Sequence, residues 1–319
     1  MNQTQVKPKV YTLAMVEAME AMQAAPAPAA NKMLTVKVKR VVNDTDDLSL
    51  EQEEIEDDFT VTDDEILARL RVRFAVLEDM TRAIKAGNVR AMIVTGSPGV
   101  GKSHGVMNVL GIHDLLTDIA SDGKLKKYEV IKGRMSALGL YMKLHEFRDS
   151  KSILVFDDCD EILQDELSLN MLKGALDSND KRIISWNSDS RRLKDDGIPN
   201  SFEYEGGAIF ITNINFDHVR SKKMRGHLQA MESRCHYLDL TINTMREKLL
   251  RIRQVIEDGA LAKFDFDEHE QKEVLDFVDE YKYNLRELSV RMVLKVSELK
   301  ATFKTTWRDV AGITCVKGS

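Results

Sequence analysis

The segment Gly96-Ser97-Pro98-Gly99-Val100-Gly101-Lys102-Ser103 sets three glycines, a lysine and a hydroxyl at a spacing suited to gripping a polyphosphate. Gly96, Gly99 and Gly101 let the backbone turn so that successive amide N–H groups aim at one phosphate. A helix opening near Lys102 adds the positive end of its dipole. Lys102 is the residue expected to neutralise β- and γ-phosphate charge, and the Ser103 hydroxyl is expected to ligate Mg²⁺. His104 follows and completes the set of loop residues expected around the nucleotide, which is ATP. Such chemistry also needs carboxylates at the end of a neighbouring strand, and Ile153-Leu154-Val155-Phe156-Asp157-Asp158 supplies two. Asp157 is placed to hold the metal. Asp158 is placed to polarise water as a general base toward the γ-phosphate. Asp160 and Glu161 read instead as residues that cap or solvate the next helix.

These side chains can act together only if strands and helices deliver them to one edge. Ala91 to Thr95 is a short apolar strand running straight into the glycine loop, and Ser103 to about Ile119 reads as the helix after it. Thr62 with Glu65 three positions on forms a capping box for a helix reaching about Lys85, with Ile66, Leu70, Phe74, Leu77 and Met80 on one face. Tyr128 to Lys132 and Ser152 to Phe156 read as strands and Leu138 to Phe147 as a helix. A further helix over Leu163 to Leu176 leads to strand-like Arg182 to Trp186 and Ala208 to Thr212. Alternating strands and helices predict an α/β fold, a parallel sheet sandwiched by helices. From Thr244 onward the pattern is helical only. The expected organisation is a flexible arm over 1–61, a nucleotide-binding core over 62–243 and an all-helical lid over 244–319.

Composition narrows the class. A chain of 319 residues, 43% hydrophobic and 31% charged, fits a soluble globular protein with room for a core and a smaller module. No stretch approaches the ~18 apolar residues of a membrane span and no signal-peptide layout opens the chain, so a cytoplasmic protein without membrane contact is expected. Cys159, Cys235 and Cys315 have no metal-ligand or redox spacing and read as buried or inert thiols. The net charge of −6 is uneven, because Val41 to Ala68 holds twelve acids and no base. The remainder is therefore mildly basic, which permits nucleic-acid contact without demanding it. In the arm, Met15 to Ala25 could form a short helix and Leu34 to Val42 alternates apolar and basic residues. The acidic segment after it has the composition of disorder.

With the glycine loop and the Asp157-Asp158 strand end in place, the chain resembles the AAA+ ATPases over roughly Thr62 to Leu299. The resemblance implies a ring or partial ring of subunits, with ATP at each subunit boundary and a small helical lid closing it, and a homo-oligomer, a hexameric ring, is expected. Asn213, after Ala208 to Thr212, lies where the family places its sensor-1 residue orienting the attacking water. Ser233-Arg234-Cys235 looks like the box of clamp-loader ATPases whose arginine reaches a neighbour's γ-phosphate, which would make Arg234 an arginine finger in trans. Asn284 to Leu288 resembles the lid motif carrying the sensor-2 arginine, so Arg286 is expected at ATP, with Arg291 as the alternative. The chain departs from the family in one place: most members have Asp-Glu where it has Asp157-Asp158, and the shorter acid bears on turnover rate. Small phage- or plasmid-encoded members look most similar.

Two segments could face a substrate in such a ring. Ala137 to Tyr141 offers a glycine beside apolar and aromatic residues, though its spacing fits an amphipathic core helix better. Ser188 to Phe202 is a long polar connection, and its Arg191, Arg192 and Lys194 would suit phosphates or acidic peptide equally. Two functions follow: remodelling of a protein or nucleoprotein complex by ATP hydrolysis, or a nucleotide-gated, DNA-associated assembly factor acting mainly by binding.

Overall fold

The computed structural model describes residues 60–121, 128–216, 219 and 221–318, the side chains of 112–121 and of 223 excepted. The readings for Met15 to Ala25, Leu34 to Val42 and most of the acidic segment lie outside the described residues.

Order opens as the capping box requires. Thr62 caps α1 (Asp63–Lys85), its side chain accepting from the Glu65 amide while Glu65 turns back to the Thr62 amide. Five parallel strands follow: β1 (Ala91–Thr95), β2 (Tyr128–Lys132), β3 (Ile153–Asp157), β6 (Gly207–Ile211) and β7 (His236–Asp239), in the spatial order β2-β3-β6-β1-β7. The runs in β1, β3 and β6 are apolar up to Thr95 and Asp157 at the ends of the first two because both faces of the sheet are covered, and every residue of these strands is buried. Alternation within each run assigns the faces. Met92, Val94, Ile153, Val155, Ile209 and Ile211 pack with Leu77 and Ile84 of α1 and with Val106 and Leu110 of α2 (Lys102–Ser121). Ala91, Ile93, Leu154, Phe156, Ala208 and Phe210 pack with α3 (Ala137–Glu146), α4 (Glu166–Ala175) and α6 (Lys222–Glu232). Phe156 and Phe210 stack with centroids 5.0 Å apart, and losing such a ring from a packed core costs about 3–5 kcal/mol.

The expected helix over Leu163 to Leu176 is divided, a 3₁₀ turn over Asp160–Leu163 preceding α4. Arg182 to Trp186 does contain a strand, β4 (Ile183–Ser185), but not one of the parallel sheet. It pairs antiparallel with β5 (Ser201–Glu203) in a separate two-stranded ribbon, with α5 (Arg191–Asp195) between them. The strand β7 has no counterpart among the sequence expectations. It pairs with β1 at the sheet edge, and its His and Asp ends are exposed, so it lacks the apolar run that reveals a buried strand.

After Thr244, a second capping box with Glu247, the chain is helical: α7 (Met245–Glu257), α8 (Glu268–Glu280), α9 (Val290–Phe303) and α10 (Trp307–Cys315). These helices enclose their own apolar centre, built around Phe277, Val278, Val293, Val296 and Trp307. An isolated antiparallel bridge between Leu285 and Val316 ties the end of the chain to the turn before α9. No helix among the described residues is long and apolar enough to cross a membrane.

Candidate nucleotide site

Parallel α/β sheets present their binding crevice beyond the carboxyl ends of the strands. There β1 ends in the glycine loop, β3 in Asp157 and Asp158, and β6, which lies between them, in Thr212 and Asn213. Gly96 has φ +146° and its added Cβ would sit 2.8 Å from the Leu240 carbonyl carbon, so only glycine fits the start of the loop. Gly99 has φ +72° and faces the C-terminal region instead: a Cβ there would meet Ser289 at 2.7 Å and Glu287 at 3.0 Å. Val290 donates its amide to the Gly99 carbonyl at 3.1 Å, and the Ser97 hydroxyl donates to the Ile242 carbonyl at 3.2 Å. Pro98 lies between these anchors and Val100 follows them.

Lys102 opens α2 and is buried. Its ammonium donates to the carbonyls of Gly96 at 2.6 Å and Ser97 at 3.1 Å, and to Asn213 Oδ1 at 2.7 Å. Asn213 Nδ2 donates in turn to Asp158 Oδ1 at 2.9 Å. Ser103 Oγ donates to Asp157 Oδ1 at 2.7 Å, and the other carboxylate oxygen pairs with Lys132 Nζ at 2.9 Å. Two hydrogen-bonded groups therefore lie side by side, Lys102–Asn213–Asp158 and Ser103–Asp157–Lys132, adjacent in chain at Lys102–Ser103 and at Asp157–Asp158. Asp158 sits in the left-handed region with φ +55°, its amide donating to the Ile211 carbonyl, so the backbone is locally strained at the carboxylate that faces Asn213. His104 points its Nε2 at the Asn108 side chain, 3.0 Å away.

Several contacts were not foreseen. Asp160 does not cap a helix: its carboxylate accepts from Thr212 Oγ1 at 2.6 Å, fixing the end of β6, and burial raises its pKa above the usual carboxylate value. Glu161 pairs with Arg134, and Lys132 reaches Asp157 from the end of β2. No sequence motif marks these partners, because β2–β3 register alone brings Lys132 beside Asp157. Arg286 is not brought to the glycine loop. Its Nε donates to the Thr314 carbonyl at 3.2 Å and its amide to the Cys315 carbonyl, because the Leu285–Val316 bridge holds this stretch against the chain end. Arg291, the second residue of α9, is the arginine whose charge acts on Lys102.

Arg234 follows α6 and precedes β7, which runs parallel to β1, so it lies at the amino edge of the sheet while the glycine loop lies at the carboxyl edge. Strands of this length separate the edges by roughly 15 Å. One terminal nitrogen donates to the Ala230 carbonyl at 2.8 Å, and the buried Nε has no acceptor among the described residues. Burial pushes the Cys159 thiol up to about 11 and the Cys235 thiol up to about 12, so both remain protonated at neutral pH.

The two substrate-facing segments resolve differently. Ala137 to Tyr141 is the start of α3, with Leu140 and Tyr141 fully buried and the Tyr141 hydroxyl donating to the Pro199 carbonyl, and so cannot grip a substrate. In Ser188 to Phe202, Arg191, Arg192 and Lys194 are exposed but each is paired with a neighbouring acid: Asp195, Asp196 and Asp189 respectively. The connection is thus locally neutral rather than a basic surface.

Burial lowers the Lys102 pKa to about 8, with Arg291 pushing the same way against Asp158 and Asp157. A phosphate anion beside the ammonium would raise it again. Binding at high pH would therefore require proton uptake, so anion affinity should be flat below pH 8 and decline above it, by up to about tenfold per pH unit. Calorimetric titration with ATP at pH 7 and pH 9.5, in buffers of different ionisation enthalpy, reads both the decline and the proton uptake.

No family model matches the chain. Among solved structures it is similar to the RuvB Holliday junction branch migration motor of Thermotoga maritima, with 13% identity and a TM-score of 0.41, covering 80% of this chain and 70% of that one. It is also similar to domain III of the Thermotoga maritima replication initiation protein DnaA, with 17% identity and a TM-score of 0.40, covering 74% of this chain and 84% of that domain. In sequence it is 33% identical over 251 residues to an uncharacterized 36.7 kDa protein of Enterobacteria phage T4, encoded between nrdC and mobD, covering 78% of this chain and 75% of the relative. The chain belongs to the family of that phage T4 protein.

Proposed function

We propose that the chain is an AAA+ ATPase that binds and hydrolyses Mg-ATP, working as a homo-oligomeric ring, most simply a hexamer, to remodel a protein or nucleoprotein complex. The observation that carries the nucleotide reading is the pair of hydrogen-bonded groups, Lys102–Asn213–Asp158 and Ser103–Asp157, side by side at the carboxyl edge of the sheet. Ser103 Oγ and Asp157 Oδ1, adjacent at 2.7 Å, are the hard oxygen donors that Mg²⁺ takes, so the residues fit the ion. Bound with ATP, the metal would neutralise charge on the phosphate oxygens.

The protein's own groups divide the remaining work. Lys102 exchanges the Gly96 and Ser97 carbonyls for phosphate oxygens, which leaves its charge where negative charge accumulates. Asp158 and Asn213, joined at 2.9 Å, form the acceptor and donor pair that orients and deprotonates a water molecule. Arg291 takes the lid position first assigned to Arg286, since its charge already acts on Lys102. Arg234 cannot serve its own loop from the opposite sheet edge and is proposed to complete the site of a neighbouring subunit.

Asp158→Asn separates these roles. The variant should bind ATP within a few-fold of the unchanged protein and hydrolyse it about 10²- to 10⁴-fold more slowly, the range a positioned base contributes. Nucleotide titration and phosphate release on the same preparation check this; equal loss of binding would exchange the roles of Asp157 and Asp158.

A further inference from the structure

A second buried cation, besides Lys102, contacts the glycine loop. Arg251 of α7 is 8% exposed, and its Nε donates to the Val100 carbonyl at 3.3 Å. Its remaining polar contact is with another buried side chain, Gln254, at 2.8 Å. The guanidinium lies 3.4 Å from the ring centroid of Phe74, and one terminal nitrogen is 3.4 Å from where a Cβ on Gly101 would be. Ile66, Leu70, Val100, Ile242 and Leu250 form the apolar setting around it.

What sets this arginine apart from Lys102 is its missing counter-charge. Lys102 has Asp157 and Asp158 within electrostatic reach, whereas Arg251 makes no ion pair among the described residues. The acid that acts on it, Asp258, is exposed at the far end of the helix. Burial accordingly lowers its pKa to about 10, which still leaves it charged at neutral pH. A buried charge with only neutral partners is unfavourable to the fold, and cation–π contact and two hydrogen bonds offset part of that cost. The loop it touches is the one whose amide groups would converge on a phosphate.

We propose that Arg251 is a positioning residue of the nucleotide site, whose uncompensated charge is balanced by the bound polyphosphate and whose Val100 contact transmits binding to α7. The proposal rests on the nucleotide reading above. It implies that the empty protein and the bound protein respond oppositely to loss of this charge. Arg251→Met keeps an unbranched apolar stem against Phe74 and removes the charge, so the melting temperature without nucleotide should stay the same or rise. ATP affinity should fall about tenfold, and the rise in melting temperature produced by saturating ATP should shrink accordingly. Arg251→Lys restores a cation without the planar fork and should recover most of that affinity.

Thermal melts with and without ATP, and calorimetric titration with ATP, on the full chain and both variants, test this. Unchanged ATP affinity in Arg251→Met would overturn the proposal. So would a loss of affinity in both variants that follows a lower melting temperature in each, the mark of a packing role. Absence of ATP binding by the unchanged protein would overturn the nucleotide reading itself and this proposal with it.

Discussion

Lys102→Ala should lose tight ATP binding by about 10- to 100-fold and turn ATP over no faster than background, while still folding. The binding loss follows from charge-assisted hydrogen bonds to phosphate, each worth ~1.5–3 kcal/mol. Turnover falls further, because the same ammonium faces charge that grows in the transition state. The fold should survive since burial makes the charged Lys102 unfavourable in the empty protein, as its depressed pKa records. With a folded pKa near 8 against an unfolded value near 10.5, Lys102 binds more protons when unfolded between those values. Its contribution to stability therefore rises from pH 8 to 10.5, and this part of the dependence should vanish in Lys102→Ala. Melts across that pH window together with ATP titrations check both statements.

The second large effect belongs to Arg234. Arg234→Ala should reduce ATP turnover by about 10³-fold with ATP affinity nearly unchanged, the scale on which an arginine supplied in trans acts. Arg234 stands at the amino edge of the sheet, on the order of 15 Å from the glycine loop, so in the proposed ring the loss would be felt in another subunit's site. Turnover by the unchanged protein should rise more than linearly with concentration. Mixing Arg234→Ala subunits with Lys102→Ala subunits should restore activity, since some mixed interfaces then carry both residues. Full turnover by a strictly monomeric preparation, or no effect of Arg234→Ala, would make Arg234 an ordinary structural arginine.

The parts of this architecture that the sequence displays are those encoded locally. Thr62 and Glu65, and again Thr244 and Glu247, mark helix starts because a capping box is completed within four residues. β1, β3 and β6 are visible because burial on both faces demands unbroken apolar runs. The motifs mark Lys102, Ser103, Asp157, Asp158 and Asn213 as candidates, and the adjacency of β1, β6 and β3 brings them to one edge. Features set by tertiary register are hidden. The edge strand β7 carries polar ends, β4 joins β5 instead of the parallel sheet, and Asp160 reaches Thr212 only because β3 and β6 are neighbours. Arg286 and Arg291 could not be separated by spacing, since the Leu285–Val316 bridge that withdraws Arg286 joins residues far apart in sequence.

Phosphate release from ATP reads whether the glycine loop and its two carboxylates form an ATP-hydrolysing site. The purified full chain is assayed at several concentrations, with Mg²⁺ and with Mg²⁺ removed by EDTA, beside the Lys102→Ala protein. The expected result is saturable release that requires Mg²⁺ and is absent from Lys102→Ala. Release at equal rates with and without Mg²⁺, or in both proteins alike, would contradict it.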